Sequence, residues 1–199
     1  MSFHPSMDYG RGHHKSSRAF PEEGPAFEYT RENRERLEAI CARYPADQRK
    51  SAILAAVYLV QQQQGYITLN GMRHVASAIG CTPADVEDVV SFYTMFYTRP
   101  VGRYVLQVCR TLSCALMGAE RVTEELSKTL GITPGETDRA GEFTLLEVEC
   151  LGACDRAPVI GVNDHWHECH KPEDASALVA GLRAKGPAAL TGCYLRVEK

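Results

Sequence analysis

No stretch of this chain approaches the roughly 18 consecutive apolar residues that a membrane-spanning helix requires, so no direct membrane insertion is expected. The start of the chain has no apolar segment of the kind that marks a secretory signal. Met1 to Tyr29 is polar and broken by glycine and proline, which points to a cytoplasmic address with reduced thiols. Charge of one sign is also missing: 22 Lys and Arg stand against 25 Asp and Glu, a net charge of −3, so nothing suggests a nucleic-acid partner. There is no G-x-G-x-x-G run, and the chain has no visible dinucleotide fingerprint of its own. Cysteine is too sparse for a disulfide scaffold. Eight in 199 residues is about half the density of roughly 8–10% that such scaffolds reach. Metal binding or thiol chemistry is the better account of those that come in pairs.

Two such pairs are present. Cys109 and Cys114 form a C-x4-C, and Cys150 and Cys154 form a C-x3-C, with a helix-sized insert between them. The pattern suggests one soft-metal centre gripped from two loops.

Ahead of the pairs the chain reads as helical. Residues 1–28 look like a disordered tail, in which His13-His14 is a solvated pair. Over 29–99 four amphipathic patterns follow on short connections. Leu37, Ile40, Cys41 and Tyr44 share the first stripe, which Pro45 stops. Ile53, Leu54, Val57, Tyr58 and Val60 make the second, which runs out into a solvated Gln61–Gln64 end. Met72, Val75, Ala76 and Ile79 make the third behind a Thr68 cap, and Val86, Val89, Val90 and Tyr93 the fourth. The fourth is the best signposted, with Thr82 as cap, Pro83 at the first helical position and Asp85 as capping-box partner. These predict a small four-helix bundle. The aromatic stretch Phe92–Tyr97 reads as core, or alternatively as a domain seam or partner surface.

After Arg99-Pro100 the period changes. Strands are expected at Tyr104–Val108, Phe143–Val148, Pro158–Val162 and His165–Glu168, with a turn at Asn163-Asp164. Helices are expected at Gly118–Leu130 and from about Ala175 to Gly186. The order β-α-β-β-β-α over 100–186 suits a small thioredoxin-like α/β domain, with 187–199 as a tail. The fold class is therefore α+β.

Both cysteine pairs follow strands joined by a helical crossover, so parallel pairing would open both loops on one sheet edge. Structural zinc and a [2Fe–2S] cluster both accept four thiolates. The x4 spacing is loose for a zinc knuckle, and a thiol-redox site would be better served by C-x-x-C. Small residues near the ligands, Ser113, Ala115, Gly152 and Ala153, suit close backbone approach to bridging sulfides. A helix following Cys114 would point its partly positive end at an anionic centre, and Arg110 and Arg156 flank it. The arginines would raise a cluster's potential, or they are simply solvated.

The segments Glu149-Cys150-Leu151-Gly152-Ala153-Cys154-Asp155-Arg156-Ala157-Pro158, Cys109 to Cys114 with Leu116 and Gly118, Ser91–Phe96, and Gln61 with Gly65-Tyr66-Ile67 carry a resemblance. Together they resemble the thioredoxin-like [2Fe–2S] ferredoxin subunit of NADH:quinone oxidoreductase (complex I), the NuoE-type subunit, over about Arg31 to Ala184. The resemblance implies one [2Fe–2S] cluster held by Cys109, Cys114, Cys150 and Cys154. It also implies a flavoprotein partner that carries FMN and binds NADH, other peripheral-arm subunits, and a place in the peripheral arm of a membrane-bound complex. Equivalent subunits of NAD-reducing hydrogenases and NAD-dependent formate dehydrogenases fit the same residues. Rivals of other classes are a zinc-stapled interaction module and a thioredoxin-like thiol oxidoreductase.

The chain departs from that pattern at Met117, where the family often has arginine, and at His165-Trp166-His167-Glu168-Cys169-His170. The stretch reads as an exposed short strand with adventitious histidines; alternatively, since His165, His167 and Cys169 would share one face of a strand, it could admit a second soft-metal site. Cys81 and Cys193 have no partner at ligand spacing and read as ordinary thiols.

Overall fold

The structure is a computed structural model that describes residues 21–190 and the strand Cys193–Tyr194. The expectations for residues 1–20, His13-His14 included, lie outside the described residues. The chain divides into two compact units with the boundary between Pro100 and Val101.

The first unit holds α1 (Arg31–Cys41), a 3-10 segment (Ala46–Ala52), α2 (Ile53–Gln64), α3 (Leu69–Ile79) and α4 (Pro83–Phe92). Local chemistry sets the helix starts. Thr30, Thr68 and Thr82 each accept, through the side chain, the N–H of the residue three positions on. At Thr82 the box is complete, because Asp85 accepts the Thr82 N–H at 2.8 Å in return. Gly65 and Gly80 end α2 and α3 in the left-handed conformation. The apolar stripes meet in one core that includes Leu37, Val57, Val60, Met72, Val75, Val86 and Phe96.

Three expectations for this unit need correction. Helix α1 stops at Cys41, so Tyr44 lies beyond it and is exposed; the approach to Pro45 disfavours helix. Residues 22–28 are packed rather than a loose tail: Glu22 and Glu23 carbonyls accept the Leu69 and Asn70 amides, and Phe27 is buried. The glutamine run is not a solvated end. Gln61 donates to the Met95 carbonyl at 2.9 Å and accepts the Tyr97 N–H at 2.8 Å. Gln63 donates to the Glu28 carbonyl and accepts from Thr30 N and Asn33 Nδ2. The aromatic stretch divides: Phe96 and Tyr97 are buried, while Phe92 stands 78% exposed.

The second unit is built on a five-stranded sheet of order β2-β1-β3-β4-β5. Its strands are β1 (Tyr104–Cys109), β2 (Phe143–Val148), β3 (Ile160–Val162), β4 (His165–His167) and β5 (Cys193–Tyr194). β1 and β2 are parallel, with Cys109 opposite Val148; the other neighbours are antiparallel. Between β1 and β2 run a short helix α5 (Leu112–Leu116) and the longer α6 (Ala119–Leu130), and α7 (Ala175–Lys185) follows β4. Helix α6 packs on β1 and β2 and α7 packs on α6, closing a core of Tyr104, Leu106, Val108, Leu126, Phe143, Leu145, Val162 and Val179. A helical first unit followed by a unit of mixed helix and sheet makes the fold class α+β.

Asn163 turns β3 into β4 as expected, at a φ of 51°, and its side chain bonds the Val105 N–H and the Arg103 carbonyl. Three features differ from expectation. β3 begins at Ile160, two residues after Pro158, which has no N–H to give a ladder. Helix α5 adds an element to the expected order; its five residues carry too little periodicity to read. The tail assigned to 187–199 contains β5, whose two residues pair with His165 and Trp166.

Candidate metal centre

The parallel β1–β2 register delivers the two cysteine loops to one edge of the sheet. Cys109 ends β1 and is buried; Cys150 follows β2 and is exposed. Backbone bonds lock the loops where they leave the sheet: Cys109 N–H to the Val159 carbonyl at 3.1 Å and Arg110 N–H to the Val148 carbonyl at 3.0 Å. Cys114 lies buried within α5, and Cys154 opens a 3-10 turn (Cys154–Arg156) that touches α5.

The thiols associate in two pairs. Cys150 Sγ and Cys154 Sγ are 3.4 Å apart, and Cys109 and Cys114 are hydrogen-bonded to each other. Charge on Cys154 also reaches Cys114, so the two pairs adjoin. In each pair the protons are held unequally. Burial pushes Cys109 up, but side-chain and backbone hydrogen bonds from Thr111, an amide bond from Leu151 and the Cys114 thiol outweigh it and hold Cys109 below its ordinary value. Burial, then its bond to Cys109, pushes Cys114 up to about 11. The Gly152 N–H, 3.3 Å from Cys150 Sγ, leads the causes that lower Cys150, ahead of Cys154 and Thr111. Cys154 is raised first by its bond to Cys150 and then by that sulfur's charge. Each pair is therefore one good anion beside one reluctant one, and metal binding would displace the shared proton.

This donor set fits a binuclear iron–sulfur cluster. Four thiols in two adjoining pairs match two thiolates per iron. Among the described residues, no group of three or more His, Cys, Asp or Glu side chains is gathered closely enough to hold a single ion. Gly152 has a φ of 84° and open space where a Cβ would stand, leaving its amide free to face sulfur.

Other expected site features are rearranged. The helix after Cys114 starts only at Ala119 behind Gly118, so its N-terminus is a step removed from the thiols. Neither arginine is simply solvated: Arg110 pairs with Glu149 at 3.2 Å, and Arg156 lies 3.6 Å from Asp155 and 4.0 Å from Glu168. Leu112, Leu116 and Met117 form an exposed apolar collar on and beside α5. Nothing in their spacing signalled it. Thr111 was not singled out by the sequence either; a threonine ahead of a helix reads as a cap.

The alternation that would have made a second soft-metal site of His165, His167 and Cys169 is broken. β4 ends at His167, and Cys169, at a φ of 50°, turns out of the strand alternation and is exposed. The strand is half-buried rather than exposed, and His170 is buried at 8%. Burial, then the charges of His170 and His165, lowers His167 to about 4. Among the described residues, Nε2 of His167 and of His170 is buried without a hydrogen-bond partner.

A strand-edge site of paired thiols on an α+β domain of this topology defines a class, and residues 37–183 match the family of thioredoxin-like [2Fe-2S] ferredoxins. The chain belongs to that family. Its relatives narrow the class further. It is 46% identical over 149 residues to NADH-quinone oxidoreductase subunit 2 of Thermus thermophilus, covering 74% of this chain and 82% of that one. It is 42% identical over 151 residues to a corresponding NADH-quinone oxidoreductase subunit of Rhizobium meliloti, covering 76% and 89%. The fold alone is shared with a chain of an NAD+-reducing [NiFe]-hydrogenase, at a TM-score of 0.60 and 18% identity over 71% of this chain and 25% of that chain.

Proposed function

We propose that this chain is the electron-transfer subunit of an NADH:quinone oxidoreductase, and that Cys109, Cys114, Cys150 and Cys154 hold its one [2Fe–2S] cluster beside the FMN of an NADH-binding partner subunit. The observation that carries this reading is the convergence of two hydrogen-bonded thiol pairs at the edge of the β1–β2 sheet, in a chain whose relatives are named as subunits of that enzyme. When bound, the cluster supplies a one-electron store. The chain's own residues supply the ligands, their orientation and the donors around sulfur: β1 and β2 aim the loops, and the Gly152 and Leu151 amides face Cys150 and Cys109.

The labour divides by domain. Residues 100–186 hold the cluster, and residues 29–99, read as a four-helix bundle, dock neighbouring subunits of the peripheral arm, with 1–28 and 187–199 flanking them. The exposed collar of Leu112, Leu116 and Met117 lies on and beside the helix that carries Cys114 and offers surface suited to close approach of the flavoprotein. No helix among the described residues is long and apolar enough to cross a membrane, which suits a place in a peripheral arm on the cytoplasmic side.

Iron and sulfide analysis with a visible spectrum tests the reading. Two irons and two sulfides per chain are expected, with colour bleached by dithionite and a one-spin paramagnetic signal. A colourless chain with one zinc would overturn it in favour of a zinc-stapled module.

A further inference from the structure

Among the described residues four helices start behind a threonine, and one of those threonines does not behave as a cap. Thr30, Thr68 and Thr82 each accept the N–H three residues on, whereas Thr111, in the same position before α5, makes no side-chain cap bond. Its hydroxyl is turned the other way. It lies 3.3 Å from Cys109 Sγ, and it also acts on Cys150, whose thiol it helps to lower. Those two cysteines come from different loops and from different thiol pairs. Thr111 is half-buried, and its own amide bonds Cys109, which holds the residue against the sulfurs.

We propose that the Thr111 hydroxyl is a hydrogen-bond donor shared between the Cys109 and Cys150 thiolates, and that it raises the reduction potential of the cluster these cysteines hold. The inference rests on the ligand reading above. A thiolate bound to iron carries no proton, so of the two partners only the hydroxyl can then donate. Reduction adds one electron and one negative charge with no bond made or broken, and a donor aimed at sulfur favours the more negative state. Because α5 is not capped by this side chain, removing the hydroxyl costs the helix no cap bond. Thr111 is thus a positioning and tuning residue, and its signature is a potential rather than a loss of fold.

The test compares the native full-length chain with Thr111→Val, which keeps the shape, and Thr111→Ser, which keeps the hydroxyl. Each is purified with its cluster, assayed for iron, and titrated with dithionite while its paramagnetic signal is followed. The valine variant should keep full iron and be reduced about tenfold less favourably, a shift of about 59 mV to lower potential for one electron. The serine variant should titrate with the native chain. Equal potentials for native and valine chains would overturn the proposal. So would loss of iron in the valine variant with the serine variant loaded, which would make the hydroxyl an assembly element instead. A native chain without iron or signal would overturn the ligand reading itself, and is thereby distinguished from failure of the tuning role.

Discussion

Arg110 and Glu149 bridge the two ligand loops: the guanidinium donates through Nε and Nη2 to one carboxylate oxygen, at 3.3 and 3.2 Å. Each is the immediate neighbour of a ligand candidate, Arg110 after Cys109 and Glu149 before Cys150. The pair itself therefore contributes close to zero net charge beside the centre. Arg110→Gln should leave the carboxylate uncompensated and lower the cluster's potential, and Glu149→Gln should raise it. One screened charge is worth about 1 kcal/mol, so each shift should be on the order of 40 mV. Redox titration of the two variants checks the opposite signs.

The ligand assignment itself is tested by cysteine selection. Cys109→Ala and Cys154→Ala should each bring iron close to background, because three thiolates cannot satisfy two irons that need two each. Cys81→Ala and Cys169→Ala should keep the full complement, measured as iron per chain, since neither thiol lies at ligand spacing from a partner.

Gln61 should matter where its neighbour does not. Its amide holds both the Met95 carbonyl and the Tyr97 amide, so Gln61→Ala leaves two backbone groups without that partner and should cost about 0.5–1.5 kcal/mol. Gln62 is exposed, and Gln62→Ala should fall within about 0.5 kcal/mol of native. Urea unfolding of the two variants measures the difference.

Gly102 makes a demand of another kind. Its N–H donates to Thr144 Oγ1 at 2.6 Å, and a Cβ there would sit 2.6 Å from the Phe143 carbonyl carbon. Gly102→Ala must push β1 and β2 apart at the end opposite the cysteines. A loss of about 1–3 kcal/mol is expected from overpacking, read from the unfolding midpoint.

Acid should find His167. Its imidazole ordinarily titrates near 6.5 and in the fold is lowered to about 4, by burial first and then by the charges of His170 and His165. Between those values the unfolded chain binds the extra proton, so stability falls as pH drops through 6.5 toward 4 and this contribution is flat above and below that window. His167→Asn should flatten the pH dependence of the melting temperature across that window, provided the fold is kept at neutral pH.

The elements that local chemistry dictates were legible residue by residue. The capping box at Thr82 and Asp85, the glycine stops, the short apolar runs of β1 and β2 and the turn at Asn163 follow from backbone and side-chain preferences that act within a few residues. The pairing of Cys109 with Cys114 and of Cys150 with Cys154 is of the same kind, since ligands on one loop must be near neighbours. Residues whose role depends on distant partners were not legible. Gln61 and Gln63 read as solvent-facing because nothing near them in sequence names the carbonyls of Met95 and Glu28. The Cys193–Tyr194 strand is too short to announce itself and exists through its pairing with β4.

The amino-acid order by itself determined the four thiols, their spacing and the strands that carry them, because those depend on local period and on the length of one loop. Only the tertiary structure decided that Thr111 faces two sulfurs instead of capping α5, and that Glu149 neutralises Arg110. It also decided that His167 is half-buried while Cys169 leaves its strand. Hydrogen bonds and charges act through space, and the partners here come together only when β2 lies parallel to β1.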